Sequence, residues 1–180
     1  FRHPTKPIGP FYTRGQALKL RRKGWVMVDD AHRGYRRVVA SPKPLGVVEA
    51  RALHTLLERK TIIIAAGGGG IPVVKVRGTL QGVSAVIDKD FASACVGKEV
   101  KAELLLMLTG VKKVYLDYGK KTQRPLTKLT MKQATQFLSD GQFPEGSMGQ
   151  KIEAAIQFLK QGGKKVIITS PAKNEDVTIV

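Results

Sequence analysis

An apolar run that stops at four consecutive glycines is the feature that most limits how this 180-residue chain can fold. Residues 61–66 read Thr-Ile-Ile-Ile-Ala-Ala, which is typical of a strand buried on both faces of a parallel sheet. Without Cβ atoms, the glycines that follow can turn sharply and let a ligand approach the backbone. Because ligands of open α/β sheets bind beyond the carboxyl ends of strands, we expect this turn to line a binding site. A flexible loop is the alternative. The glycines are Gly67, Gly68, Gly69 and Gly70.

Strand and helix patterns alternate through most of the chain. Apolar runs at residues 104–108 and 166–169 predict two more strands, and helical spacing predicts helices between the strands. We therefore expect an α/β fold, a three-layer α/β/α sandwich with a mostly parallel open sheet. Residues 1–46, dense in Pro, Gly and Arg, predict a small protruding flap and connector, and residues 47–180 predict the main α/β lobe.

The charge balance is unusually basic. Lys and Arg total 31 against 14 Asp and Glu, a net charge of +17. This favours polyanionic partners, which include nucleic acid, anionic membranes and phosphorylated substrates. No apolar run approaches the roughly 20 residues that cross a bilayer, so we expect no membrane-spanning segment. Of the polyanions named, we do not expect a membrane as partner. The one cysteine, Cys95, allows neither an internal disulfide nor a cysteine metal cluster, and its Ala-rich surroundings predict a packed helix residue.

Three segments carry residues suited to phosphate chemistry. One is the glycine turn, and another is Asp88-Lys89-Asp90 at a predicted helix start, where either acid could simply cap the helix. The third is the glycine-flanked helix start at residues 146–151, although it lacks the P-loop pattern. Exposed amides at a helix N-terminus bind phosphate, and a lysine in the first turn neutralises it. Together they predict phosphoryl transfer.

Five segments resemble carbamate kinase, a member of the amino acid kinase superfamily. They are Pro-Thr-Lys-Pro-Ile-Gly-Pro-Phe-Tyr at 4–12, Arg-Arg-Val-Val at 36–39, the glycine turn at 67–72, Val-Ile-Asp-Lys-Asp at 86–90 and Gly-Ser-Met-Gly-Gln-Lys at 146–151. The resemblance runs in order across nearly all of the chain, but it covers only the second part of a carbamate kinase. Because Phe1 opens the sequence without any signal-peptide pattern, we expect a processed or trimmed chain, or half of something longer.

The resemblance implies an enzyme that exchanges a phosphoryl group between ATP/ADP and carbamate/carbamoyl phosphate with Mg²⁺. In that scheme Lys6, which by itself reads as a surface charge, reaches the active centre from the root of the flap. Lys89 contacts the transferring phosphoryl oxygens, Asp90 holds the lysines, and Lys151 bridges to the nucleotide phosphates.

The resemblance also implies the remaining binding residues. The glycines at 67–70 line the acceptor side, and the nucleotide lies near Thr109, Tyr115, Gly146, Ser147 and Met148. It further implies a homodimer in the cytoplasm, with no protein ligands for the metal identified in this chain.

Departures from the family pattern keep a second function open. Where the family usually has Thr-Asp-Val-Asp, this chain has Thr109-Gly110-Val111-Lys112 and loses two carboxylates beside the nucleotide. With the +17 charge, this favours as the alternative an inactive kinase-derived scaffold in a nucleoprotein assembly such as a ribosome, with RNA as partner and an organelle as a possible location. A related small-acid or nucleotide kinase is a weaker option. Arg36 and Arg37 either bind an anion or hold the flap together through Asp29 or Asp30.

Overall fold

The computed structural model describes residues 3–30, 32–143, 147–171 and 177–180. The chain divides into two compact units, one formed by Phe1–Lys43 with Gly68–Asp88 and the other by Pro44–Gly67 with Lys89–Val180. No helix in the described ranges has the length and apolar character that crossing a membrane requires. The functional division between residues 46 and 47 stays a prediction.

The first unit is built on a three-stranded antiparallel sheet in the order β1-β3-β2, with β1 at Lys6–Tyr12, β2 at Met27–Asp29 and β3 at Tyr35–Val39. Helix α1 (Arg14–Arg22) begins with a capping box between Thr13 and Gln16. A β-hairpin is formed by β4 (Val73–Val76) and β5 (Thr79–Gly82). Its turn residues, Arg77 and Gly78, both have positive φ, as a two-residue type I′ turn requires.

Arginines in the first unit bind carboxylates and aromatic rings. Arg36 donates to Asp30 at 3.2 Å, and its guanidinium carbon lies 5.2 Å from the centre of the Phe11 ring. Arg37 lies over Trp25 at 4.4 Å. Arg36 therefore holds the flap together through Asp30, as one of the two interpretations expected, whereas Arg37 contacts the Trp25 ring. Anion binding by either arginine stays a prediction.

Lowering the pH should weaken this unit through Asp30. The hydrogen bond from Arg36, followed by Arg33, lowers the Asp30 pKa from its ordinary 3.8. A carboxylate with a lowered pKa stabilises the fold above the ordinary value, and the contribution disappears as the pH falls through the folded-state pKa. We expect the urea midpoint reported by Trp25, the single tryptophan, to fall below about pH 4 in the parent protein.

Asp30→Asn should lower that midpoint at neutral pH and flatten its dependence on acid. Asp140→Asn, in the other unit, is the control and should leave the Trp25 transition unchanged. An acid dependence that is identical in Asp30→Asn and the parent would contradict this assignment.

The second unit contains a sheet in the order β10-β9-β6. Strand β6 (Leu104–Leu108) pairs in parallel with β9 (Lys165–Thr169), and β10 (Val177–Ile179) pairs antiparallel to β9. A separate antiparallel pair joins β7 (Val114–Leu116) and β8 (Arg124–Leu126). The helices, in chain order, are α2 (Ala50–Glu58), α3 (Lys89–Glu99), α4 (Met131–Ser139) and α5 (Met148–Lys160). This confirms the α/β fold class.

The core of the second unit lies where α3 and α5 pack together and against β6 and β9. Phe158 on α5 is almost fully buried at its centre. A Cβ at Gly163 would lie 2.2 Å from the Phe158 ring, and one at Gly97 would lie 2.8 Å from it. These glycines leave the space that the ring fills. Cys95 is buried on α3, as predicted, and burial raises the pKa of its thiol.

Replacing Gly163 by Ala should therefore overpack the core. We expect Gly163→Ala to lower the free energy of unfolding by about 1–3 kcal/mol in urea denaturation. Gly110→Ala is the matched control, because a Cβ there meets nothing within 4 Å, and it should change stability by less than about 0.5 kcal/mol. Equal effects from both variants would contradict the packing argument.

The prediction of a buried strand at residues 61–66 is wrong. The segment has no strand assignment, and Ile62 and Ile64 are 94% and 97% exposed. A strand buried on both faces needs neighbouring strands and covering layers, and the described residues provide neither for this segment. Strand β6 also differs from expectation, because Leu104, Leu106 and Leu108 are each about half exposed while the alternate residues face the core.

Candidate functional site

The tripeptide Asp88-Lys89-Asp90 stands at the start of α3 and alternates in burial. Asp88 and Asp90 are buried, whereas Lys89 between them is exposed. Buried carboxylates are costly unless they are paired, and each of these accepts a hydrogen bond from a lysine distant in sequence. The tripeptide thus carries one exposed lysine between two buried, lysine-paired carboxylates along the chain.

The first ion pair joins Lys6 to Asp88 within the first unit. Lys6 is the first residue of β1 and pairs with Val39 across the sheet. Beyond β3, the Val86 N–H donates to the Ala40 carbonyl at 2.9 Å, which continues the backbone pairing toward residue 88. The Lys6 side chain is 26% exposed, but that of Asp88 is only 3% exposed. The carboxylate is enclosed, while part of the Lys6 side chain remains open to solvent.

The second ion pair joins Lys151 to Asp90 within the second unit. Lys151 Nζ lies 2.8 Å from Asp90 Oδ1, and the two side chains are 8% and 10% exposed. Lys151 lies in the first turns of α5, and its N–H donates to the Ser147 carbonyl at 3.3 Å. The pair thus joins the first turn of α3 to the beginning of α5, which is the helix pair that forms the core.

The glycine turn owes its sequence to two different constraints. Gly67 and Gly70 have φ of 56° and 83°, values that favour glycine. Gly69 instead lies against the backbone, because a Cβ there would be 2.0 Å from the carbonyl oxygen of Ile87. Within the first unit, Gly69 therefore packs directly on the residue that precedes Asp88. A flexible loop would leave Gly69 without such a close contact, so the structure does not support that alternative at Gly69.

Gly69→Ala should disrupt this contact while its neighbour tolerates the same change. The clash is with main-chain atoms that cannot rotate away, so we expect a loss of about 1–3 kcal/mol or more in the transition reported by Trp25. Gly68→Ala should be close to neutral, since a Cβ at Gly68 meets nothing within 4 Å. A neutral Gly69→Ala would show that the turn is not packed against Ile87.

The residues predicted to lie near a nucleotide are spread over three elements of the second unit. Thr109 follows β6, and its N–H donates to the Thr169 carbonyl at 2.8 Å, at the carboxyl end of the parallel pair. Tyr115 is half-buried in β7, with its ring centre 5.9 Å from that of Tyr118. Ser147 and Met148 stand at the start of α5, where Ser147 makes no side-chain capping bond. Gly146 lies outside the described residues, and a common binding site for this group stays a prediction.

In the described ranges, no group of three or more His, Cys, Asp or Glu side chains is suited to holding a metal ion. Asp88 and Asp90 are each engaged by a lysine. The described residues therefore do not form a protein cage for Mg²⁺. Mg²⁺ in kinase sites keeps several waters and is bound through one or two carboxylates together with substrate phosphates.

A family comparison identifies the fold to which these elements belong. The model of the amino acid kinase family matches residues 15–170, which is most of the chain. The chain belongs to the amino acid kinase family. Its similar proteins include a carbamate kinase-like protein of Escherichia coli (strain K12), 48% identical over 174 residues, covering 95% of this chain and 55% of that protein. A carbamate kinase of Staphylococcus haemolyticus is 49% identical over 172 residues, covering 94% of this chain and 56% of the relative.

Solved structures agree with this assignment. A crystal structure from Aeropyrum pernix K1 superimposes with a TM-score of 0.89 at 40% identity, covering 100% of this chain and 60% of the other. Carbamate kinase from Giardia lamblia bound to AMP-PNP gives a TM-score of 0.84 at 38% identity, with 99% and 60% covered. These matches confirm the resemblance to carbamate kinase. The chain spans about half the length of the curated relatives that it matches.

Proposed function

We propose that this chain is part of a carbamate kinase-type phosphotransferase, which exchanges a phosphoryl group between ATP/ADP and carbamate/carbamoyl phosphate. The observation that carries the proposal is the tripeptide Asp88-Lys89-Asp90, in which both acids hold lysines that the family motifs single out. The names of the similar proteins from Staphylococcus haemolyticus and Giardia lamblia support carbamate as the acceptor class.

A protein catalyses phosphoryl transfer mainly by positioning the reactants and by placing positive charge next to the phosphoryl oxygens. Negative charge spreads over the oxygens of the moving group, and fixed ammonium groups stabilise it without having to reorganise. In our proposal, exposed Lys89 contacts those oxygens, and Lys6 acts on the same group from the root of β1. Lys151 bridges to the nucleotide phosphates, and Asp90 keeps Lys151 in place. Lysine suits these roles as a compact point charge on a flexible stem.

The remaining roles are proposed on the same basis. The turn at Gly67, Gly68, Gly69 and Gly70 lines the acceptor side, while Thr109, Tyr115, Gly146, Ser147 and Met148 adjoin ATP or ADP. The AMP-PNP bound to the Giardia carbamate kinase supports a nucleotide as the phosphoryl donor. Mg²⁺ would neutralise phosphate charge when bound with the nucleotide. A homodimer is proposed from the resemblance alone.

Lys89→Ala separates chemistry from folding more cleanly than any other lysine in the set. Because Lys89 is exposed, its loss should change stability by less than about 0.5 kcal/mol. Losing one positioned charge at the transition state should lower kcat by about 10²–10³-fold. The measurement is ATP formation by the full-length protein from carbamoyl phosphate, ADP and Mg²⁺, with urea denaturation in parallel.

Lys98→Ala is the matched control, since Lys98 is an exposed lysine on the same helix and should leave kcat unchanged. Activity in Lys89→Ala equal to that in Lys98→Ala would remove Lys89 from the mechanism. If the parent protein forms no more ATP than its Lys151→Ala variant, the proposed function itself fails.

A basic scaffold remains the second candidate, favoured by the distribution of charge. Residues 1–43 hold eleven Lys and Arg against two Asp, and Gly110 and Lys112 stand where the resemblance to carbamate kinase implies carboxylates. Dispersed cations bind phosphate backbones with an affinity that falls steeply as salt rises. This candidate predicts co-elution with RNA at low salt and release at high salt. Elution free of RNA at low salt would exclude it.

A further inference from the structure

We propose that Asp88 is a positioning residue, one that fixes the ammonium group of Lys6 for phosphoryl transfer. The inference rests on the proposed function, in which Lys6 acts on the transferring group. It adds a residue to which the motifs give no part in the reaction, since from the sequence Asp88 is only a candidate helix cap. The Lys6 ammonium group donates to Asp88 Oδ2.

The difference in burial between the two partners indicates which one positions the other. Asp88 is 3% exposed and accepts from Lys6 inside the first unit, so its carboxylate cannot itself meet a ligand in solution. Lys6 is 26% exposed, so part of its side chain stays open. A free lysine side chain samples many rotamers, and a fixed partner removes most of that freedom before the ligand arrives. Buried Asp88 is therefore the fixed partner, and it orients the ammonium group of Lys6.

The backbone around Asp88 is held from two directions. Val86 donates to the Ala40 carbonyl at 2.9 Å, which ties the segment to the end of β3. On the other side, Gly69 packs against the Ile87 carbonyl so closely that a Cβ would not fit. The carboxylate therefore extends from a segment with little freedom to shift. Such a support is what a positioned ammonium group needs, because small displacements of a catalytic group cost large factors in rate.

The second ion pair of the tripeptide provides a contrast. Lys151 and Asp90 are both about nine-tenths buried and join the two helices of the core, so breaking that pair removes stability together with any function. The Lys6–Asp88 pair lies at the beginning of an edge strand and is partly open. Its loss should therefore act more on the reaction than on the fold.

A double-mutant cycle tests the coupling. In the full-length protein, Asp88→Asn keeps the shape of the side chain but removes its charge. We expect a fall in kcat of about 10–100-fold, similar to other losses of supporting partners, with the KM for ADP changed by less than about 3-fold. In a Lys6→Met background, the same Asp88→Asn change should cost less than about 3-fold, because its target is already gone.

Two kinetic outcomes would overturn the proposal. One is an equal loss of kcat from Asp88→Asn in both backgrounds, which would show that Asp88 acts independently of Lys6. The other is a fall in kcat that merely follows the loss of folded protein, as measured by the Trp25-reported urea midpoint. Asp140→Asn, in the other unit, serves as the control and should leave kcat and KM unchanged.

Amine labelling gives a readout that does not depend on turnover. Trace acetylation of the folded protein, followed by mass spectrometry, compares Lys6 with the exposed Lys19 of α1. We expect Asp88→Asn to raise the labelling of Lys6 at least about 3-fold while Lys19 stays constant, because the ion pair shields the amine. Unchanged labelling in a protein that still forms ATP would overturn the role of Asp88 alone. Absence of ATP formation by the parent protein would instead overturn the proposed function, and the positioning role with it.

Discussion

Two buried carboxylates, one on each side of Lys89 in the chain, are the constraint on which the candidate site depends. A carboxylate removed from water needs a partner, and each acid obtains one from a lysine far away in sequence. Burial of the Asp88 carboxylate therefore requires Lys6, at the start of β1, to lie next to it. Burial of the Asp90 carboxylate likewise requires Lys151, near the start of α5. The two ion pairs thus involve three of the segments that resemble the family, those containing Lys6, Asp88 to Asp90, and Lys151.

The two units are stabilised by different kinds of side-chain packing. In the second unit, α3 is held on α5 by a core in which Phe158 fills the space left by Gly97 and Gly163. In the first unit, the small sheet has little aliphatic core, and arginines lying over Phe11 and Trp25 take part of that role. The large positive charge of the flap is thus partly structural. Several of its guanidinium groups are engaged within the unit before any partner arrives.

The sequence predicted the local elements well where a side chain decides the outcome. Thr130 caps α4 and Gly141 follows its end, as the capping pattern indicates. Strands β1 and β8 were not predicted; each contains proline, Pro7 and Pro10 in β1 and Pro125 in β8, which an edge or short strand tolerates because it needs few of its N–H groups. The run at residues 61–66 failed for the opposite reason. The apolar composition of this run favours burial, but forming a strand also requires neighbouring strands to pair with, and composition does not show whether they are present. The lysine–carboxylate partners, separated by 82 and 61 residues, were likewise beyond any local pattern.

The leucines along one side of β6, with Ile62 and Ile64, also affect how the molecule behaves in solution. Their side chains expose apolar surface, which favours association between molecules. The net charge of +17 opposes association because like-charged molecules repel each other. Salt weakens only the second of these forces, since the Debye length contracts from about 10 Å at 0.1 M to about 3 Å at 1 M. We therefore expect these 180 residues to associate more readily at about 1 M salt than at about 0.1 M salt.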